Sequence, residues 1–527
     1  MPLVVPDQCP RPLPSEGWPG TTSGTRRIIR GSLMKSPPGA EPPIERDPPA
    51  WFLTLFLGIF YAAASDQAIL ENYVGRQVPT AMVARNLERG SGFFRPQLDT
   101  GPFPNLFLVE PPIYAEVAVT IRRLTRLPLE RCGRITSAIG IMLLSWGMSG
   151  LVRRRQAEPG VLCLFLALFA LPIFFRYGRA FQPDVLALGL VLAGSRCWDD
   201  HEADGGSLRL LAAWLLTAVG LAAKVSNAYA LVPLIAVIFR PKTAAKIGVA
   251  FSTLAPAALW YAYAGWAIKH GGGSRASADN AARWLSAVSL VAWTRPETYA
   301  TVARMAGWRA FGPIGLPLAL WGLFRAWPEG RYWRVWTYSA TAALIFLGGK
   351  LHHEYYFLAL APAVAAGVAR LYGRLHSKPE TRIISGAVLI LLLWFASEAF
   401  YRTLATPHEW AAWPGAAEAI DRLTGPSDLI AAPEALLYLA DRKGCRLEYE
   451  PKARLRAAGE WGVTIDRDDP LALVELYRTK GAKFVADLWP VAHEPDRRAL
   501  HDAIRRRYNV VMDRDGVIVA ELVEKQK

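Results

Sequence analysis

Charged side chains of both signs recur at the ends of apolar runs in this 527-residue chain. Asp66 and Glu71 follow the first run, Arg76 and Arg85 come further along, and Asp99 and Glu110 precede Pro111-Pro112. Arg176-Tyr177-Gly178-Arg179 with Pro183-Asp184 is a second group, Lys224 a third, and Lys350-Leu351-His352-His353-Glu354-Tyr355-Tyr356 a fourth. A carboxylate can take a proton from a hydroxyl, and Arg, Lys or His can hold an anion. Charge near lipid is costly. Four such groups on one side of a membrane therefore suggest a single site that combines carboxylates with several cations. Each group alone has a plainer reading. Asp66 can cap a helix, Asp184 can pair with the arginines just upstream, Lys224 can reach the headgroups, and the His pair can be interfacial.

The elements that must position these residues are mostly apolar. The composition is 52% hydrophobic and 20% charged. The charge is uneven: roughly one third of residues 402–527 are charged, against about 16% of the rest. A spanning helix needs about 20 mostly apolar residues, and about eleven candidates are present. They lie near 50–65, 133–151, 159–175, 183–198, 208–223, 226–240, 246–265, 310–326, 335–350, 355–372 and 383–401. The expected fold class is a mainly α, polytopic membrane protein with a small C-terminal α/β domain. Residues 1–48 are expected to be a disordered cytoplasmic tail, 49–401 the membrane domain and 402–527 a soluble domain. The five cysteines are scattered, which excludes a disulfide scaffold. No CxxC or HExxH occurs, so no metal site is expected. The net charge of +15 fits basic loops between spans better than a nucleic-acid-binding face.

Basic residues flank alternate ends of the runs, as in Arg153-Arg154-Arg155, Arg240 with Lys242, and Arg370 with Arg374. By the positive-inside rule those loops are cytoplasmic. The N-terminus is then inside and the C-terminal domain outside. The loop 66–132 must be external despite Arg122, Arg123, Arg126 and Arg131. Within it, Pro79–Gly90 and Pro111–Leu127 read as amphipathic helices lying along the membrane surface. A second external loop near 266–309 carries Gly271-Gly272-Gly273, Trp284, Trp293 and Trp308. In the tail, Ala416–Leu423 and Glu434–Asp441 read as helices. Asp428–Ala432, Ala482–Leu488, Tyr508–Met512 and Val517–Leu522 read as strands, the last two joined by a hairpin turn.

A family pattern runs through these residues over 50–401. Its pieces, in order, are Thr80-Ala81-Met82-Val83-Ala84-Arg85-Asn86-Leu87, Pro96-Gln97-Leu98-Asp99 and Glu110-Pro111-Pro112-Ile113-Tyr114. Arg179 with Pro183-Asp184, then Lys224, then His353-Glu354-Tyr355-Tyr356 and Pro362 follow. The chain resembles the GT-C glycosyltransferases of the protein O-mannosyltransferase, aminoarabinose transferase and rhizobial lipopolysaccharide transferase-like group. That resemblance implies a polyprenyl-phosphate-linked sugar donor and a lipid, glycan or protein acceptor at the external face of a bacterial inner membrane. A leaving polyprenyl phosphate needs cationic donors at headgroup depth, for which Arg76, Arg85, Arg179, Lys224, His352, His353 and Tyr355 are the expected substrate-binding residues. No metal is obligatory for a monophosphate donor, and the family leaves room for a divalent cation.

Many relatives carry an Asp-Glu pair about eight residues before the Ala-Arg of the first surface helix, where this chain has Arg76-Gln77. The nearest acids are Glu71 and Asp66, and the base is assigned to Glu71 with Asp66 beside it. Asp184 is assigned to orienting an arginine or the acceptor. A transporter or flippase is the competing class, but no internal repeat is evident and the ionisable groups crowd one face. A non-catalytic envelope-assembly subunit is a third reading. The topology is directly testable: a reporter active only outside the cytoplasm, fused after Glu524, should be active. Activity of a cytoplasm-only reporter at that position would reverse the orientation.

Overall fold

The computed structural model describes residues 49–63, 67–71, 74–155, 160–270, 286, 288, 290–325, 330–406, 410–488, 495–514 and 516–524. The 1–48 tail, Asp66, Gly271-Gly272-Gly273 and Trp284 lie outside the described residues. Asp47–Lys527 is one compact unit.

Helices dominate, and the expected runs become helices of unequal length. Leu129–Arg154 and Pro379–Leu404 are long and apolar enough to cross a membrane. Ala244–Ser252 and Ala255–Lys269, bent by 42°, make a third if they count as one span. Among the described residues, then, the expectation of about eleven full-length spans is not met. The cause is local. A proline has no N–H to continue a helix, and Leu171-Pro172 divides the 159–175 run into Val161–Ala170 and Pro172–Tyr177. The 226–240 run becomes a 3-10 turn at Val225–Ala230, a short α piece ending at Pro233, and a π turn at Leu234–Ile238.

Helix Leu129–Arg155 packs against Ala50–Ala62 on one side and Asp184–Asp204 on another; Ser207–Ala223 packs back on Asp184–Asp204. The last two form a hairpin whose turn is Gly205-Gly206, with φ of +72° and +100°, a conformation that glycine adopts without strain. Glycines also let Leu129–Arg155 and Asp184–Asp204 approach. A side chain at Gly140 would lie 2.7 Å from the Leu186 backbone, and one at Gly189 would strike the Gly140 carbonyl.

The tail builds a five-stranded sheet of order β2-β1-β3-β5-β4, from β1 (Leu429–Ala432), β2 (Gly444–Arg446), β3 (Ala482–Leu488), β4 (Tyr508–Arg514) and β5 (Val517–Glu524). β1 runs parallel to β2 and β3, while β5 is antiparallel to β3 and β4. The expected strands form, the 508–522 pair as a hairpin. The three-residue β2 was not expected. Both faces of the sheet are covered, which explains near-continuous apolar strands. Ile430, Ala432, Ala486, Leu488, Val517 and Val519 face one core. Alternate residues Ala431, Val485, Ile518 and Ala520 face the other, among Leu473, Tyr477 and Ile504.

The first of these cores also contains Val78, Met82, Leu87, Tyr114 and Phe181. The helix over Pro79–Gly90 therefore has no free apolar face to lay on a membrane surface. It runs Val74–Glu88, is buried on nearly every side, and packs against Ile113–Thr125 and the tail helix Glu434–Leu439. Its low amphipathicity follows from having neighbours all round.

Gly189→Val should lower the unfolding midpoint of the purified protein, since overpacking a close helix contact costs about 1–3 kcal/mol. Gly248→Ala, inside helix Ala244–Ser252 with nothing within 4 Å of the added carbon, should raise the midpoint slightly, because alanine favours a helix over glycine. Equal midpoints for both variants would contradict the packing.

Candidate active site

Two helix ends bring the first charges together. Asp184 opens helix Asp184–Asp204, directly after Pro183, and Lys224 caps the C-terminus of Ser207–Ala223 in an extended conformation. An acid at a helix N-terminus and a cation at a C-terminus are both favoured by the helix dipole. The glycine turn at 205–206 folds the two helices so that these ends meet. Lys224 Nζ lies 2.9 Å from Asp184 Oδ1 and 3.9 Å from Glu110 Oε2. Glu110 is also bonded to Arg76, in the first turn of Val74–Glu88. The four charges thus alternate in sign, Arg76–Glu110–Lys224–Asp184, with side chains only 6–14% exposed. Buried charges persist only when paired in this way.

A small cleft opens beside this row. Its lining combines polar side chains, Asp184, Lys224, Asn227, Tyr355 and Tyr356, with the apolar Leu188, Leu344, Leu347 and Leu358. Lys224 Nζ sits 5.3 Å from the Tyr355 ring centre, within reach of a cation–π attraction. Asp184 Oδ2 and Asn227 Nδ2 are buried and have no hydrogen-bond partner among the described residues. A buried polar atom left without a partner costs about 1–3 kcal/mol, so both atoms are available to a molecule in the cleft.

Three further clusters surround the row. Glu354 accepts from Tyr177 Oη at 2.9 Å, is bonded to Arg309 and lies 3.8 Å from Arg176. Arg309 belongs to a π-helical turn, Ala303–Ala310. Glu71 pairs with Arg134, whose Nη2 lies 2.9 Å and 2.8 Å from its two carboxylate oxygens. Arg134 also donates to the carbonyls of Gln67 and Ala68. Arg179 donates to the Thr403 carbonyl at 2.8 Å and to Gln67 Oε1 at 3.4 Å. Arg85 belongs to a separate joint with Asp99, Tyr438 and Asp441.

Solved structures give this arrangement a context. ArnT from Cupriavidus metallidurans, bound to undecaprenyl phosphate, superposes with a TM-score of 0.57 at 13% identity, over 90% of this chain and 99% of its own. Its apo state matches equally well. The arabinofuranosyltransferase AftD from Mycobacteria superposes with a TM-score of 0.51 at 13% identity, over 90% of this chain and 41% of its own. This chain has the GT-C fold. No protein-family model and no curated protein matches its sequence.

Within the GT-C fold, Arg76, Asp184, Lys224 and Tyr355 come together. His353 joins them by stacking on Tyr355, with ring centres 5.6 Å apart, and His352 lies against His353 at 3.7 Å. Burial, with His352 and Lys350 adding like charge, pushes the His353 imidazole down to about 4. It is therefore a neutral hydrogen-bonding ring near pH 7 and supplies no positive charge. Glu71 and Arg179 share Gln67 and Arg134 as neighbours and form a group of their own. Arg85 has no partner in common with Lys224.

Two residues escaped the sequence reading. Arg134 is the sole charge in the 133–151 run, and an ionisable residue inside an apolar run was the available signal. Asn227 carries no signal, being one amide in an apolar stretch. Among the described residues, no group of three or more His, Cys, Asp or Glu side chains is placed to hold a metal ion.

Removing one member of a buried ion pair strands the other. Arg134→Met should therefore destabilise the protein by about 3–5 kcal/mol, read from unfolding in detergent. Adding Glu71→Gln should recover part of that loss, because the stranded carboxylate is then gone. Strictly additive losses would show that the pair contributes nothing as a pair.

Proposed function

We propose that this protein is an integral membrane glycosyltransferase that moves a sugar from a polyprenyl-phosphate-linked donor to a lipid, glycan or protein acceptor. The observation that carries the reading is the cleft itself. A buried carboxylate oxygen with no partner lies beside a lysine, in a cleft that leucines also line. An amphiphile with an anionic head and a hydrocarbon tail suits such a cleft. The likeness to ArnT, which is bound to undecaprenyl phosphate, supports the same donor class.

In this reading Lys224 and Arg76 neutralise the leaving phosphate, and Asn227 donates to a sugar or phosphate oxygen. Asp184 Oδ2 accepts the proton of the acceptor hydroxyl. The acceptor oxygen bonds to the anomeric carbon as the bond from that carbon to the phosphate oxygen breaks, and polyprenyl phosphate leaves with the electron pair. Glu71, with both oxygens on Arg134, suits holding the first loop better than proton transfer. The sequence assignment of the base to Glu71 and Asp66 is thereby replaced by Asp184. No metal is assigned an obligatory role, because Lys224 and Arg76 supply the positive charge.

The membrane placement belongs to the same proposal. Trp51, Ile59, Ile383, Ile390 and Trp394 are 61–86% exposed on helices Ala50–Ala62 and Arg382–Leu404. An apolar face of that size is unusual on a protein surrounded by water. We assign 49–401 to a polytopic domain in the bacterial inner membrane, the N-terminus to the cytoplasm and 402–527 to the external side.

The test is a transfer assay on the purified protein with polyprenyl-phosphate-linked sugars. Asp184→Asn should slow transfer by about two to four orders of magnitude, the scale for loss of a general base. Lys224→Ala should cost about 10²–10³ in kcat, and Glu71→Gln should cost far less than Asp184→Asn. Wild-type rates in Asp184→Asn would remove it as the base. Movement of the lipid-linked sugar across the bilayer without transfer would favour a flippase.

A further inference from the structure

The tail sheet supplies no side chain to the Arg76–Glu110–Lys224–Asp184 row, yet it holds the loop that delivers one of them. Residues 96–107 double back on themselves. Leu98 N–H donates to the Asn105 carbonyl at 2.9 Å and Phe107 N–H to the Pro96 carbonyl at 2.7 Å, with an antiparallel bridge between Gln97 and Leu106. The far end of this loop pairs with the edge strand β2. Gly444 N–H donates to the Asp99 carbonyl at 2.9 Å, and Gly101 N–H donates to the Gly444 carbonyl at 2.8 Å. Thr100 and Gly444 form a parallel bridge, so the loop extends the sheet by one short strand.

Side chains tighten this grip. The Asp99 carboxylate is fully buried and accepts from Arg85 Nη2 at 2.6 Å, Arg85 Nε at 3.2 Å and Asn86 Nδ2 at 3.0 Å. Arg85 continues to the Tyr438 carbonyl at 2.7 Å, to Asp441 at 2.9 Å and to the Tyr438 ring, 4.6 Å from its centre. Gly101 is glycine because a side chain there would lie 2.5 Å from the Trp461 ring. The near end of the same loop carries Phe107, whose ring centre is 6.0 Å from the Arg76 guanidinium. Three residues later Glu110 bridges Arg76 and Lys224.

We infer that the tail sheet sets the position of Glu110 through this loop, with Arg85, Asp99 and the Gly444 pairing as positioning groups for the transfer site. This rests on the reading of the charge row as that site. A doubled-back segment fixed at its tip leaves its base little freedom. When the tip is released, the Glu110 carboxylate no longer stays fixed against Lys224, and the lysine is left to Asp184 alone. The expected signature is a fall in kcat with donor KM nearly unchanged, since Asp99 and Arg85 touch no substrate.

Two readouts on the full-length protein test this: transfer kinetics and amide hydrogen exchange. Asp99→Asn keeps the side-chain shape and removes the charge that holds Arg85. It should speed exchange at 99–101 and 444, and also at 105–110. It should lower kcat by about tenfold or more while KM stays within about twofold. Asp441→Asn loosens the exposed arm of the same grip without leaving a charge buried, so it should shift both readouts in the same direction by less. Arg507→Ala, which removes pairs with Glu475 and Glu524 near the opposite edge of the sheet, should change neither. Faster exchange confined to 99–101 and 444, with 105–110 protected and kcat as in the unsubstituted protein, overturns the inference. If the unsubstituted protein transfers no sugar at all, the transfer reading falls, and exchange at 105–110 alone decides whether the tail sheet positions the loop base.

Discussion

The contact between Lys224 and Asp184 is the constraint on which most of this molecule depends. Neither charge is tolerable alone at such depth. Their meeting requires that helices Asp184–Asp204 and Ser207–Ala223 fold back through Gly205-Gly206 and lie side by side. The dipoles of the two helices then favour both charges at once, a negative group at the first N-terminus and a positive group at the second C-terminus. The approach of Leu129–Arg155, through Gly140 and Gly189, fixes the helix that carries Asp184. Glu110 and Arg76 complete the row from the first loop, whose tip pairs with the tail sheet at Gly444.

Much of this was legible in the sequence. The alternation of apolar runs with charged clusters marks the run ends that the structure brings together in the charge row, and the ordered motifs anticipate the GT-C fold. Asp184 and Lys224 stand out because charge beside apolar runs needs a reason. What was not legible depends on partners distant in the chain. Glu71 is close in sequence to the acidic pair that relatives carry, and nothing local reveals that Arg134 holds both its oxygens. Arg85 reads as a cation for a phosphate until Tyr438 and Asp441 are placed against it. Periodicity gave the Pro79–Gly90 helix a surface position, but it cannot register that elements from the far end of the chain pack against it.

Helix lengths were misjudged for a related reason. Mean hydropathy over a window does not register where a backbone stops being helical, and Pro172 and Pro233 interrupt runs whose composition is otherwise uniform. The tail was read more accurately because its strands are short, β-branched in places and separated by turn residues. Its parallel core and short edge strand were missed, since three residues carry no period. That edge strand is nonetheless the one that pairs with the first loop, so the least conspicuous element of the sheet makes its most consequential contact.

The charge row Arg76–Glu110–Lys224–Asp184 sums to zero. Opposite charges this close cancel each other's field within a few ångströms, and ionic strength screens what remains over about 8–10 Å. The row by itself therefore adds little to any long-range steering of dissolved anions. A headgroup meets Lys224 at full strength only once it is already in contact. On the proposed reading, delivery to Lys224 is then by diffusion along a lipid surface rather than by attraction through water.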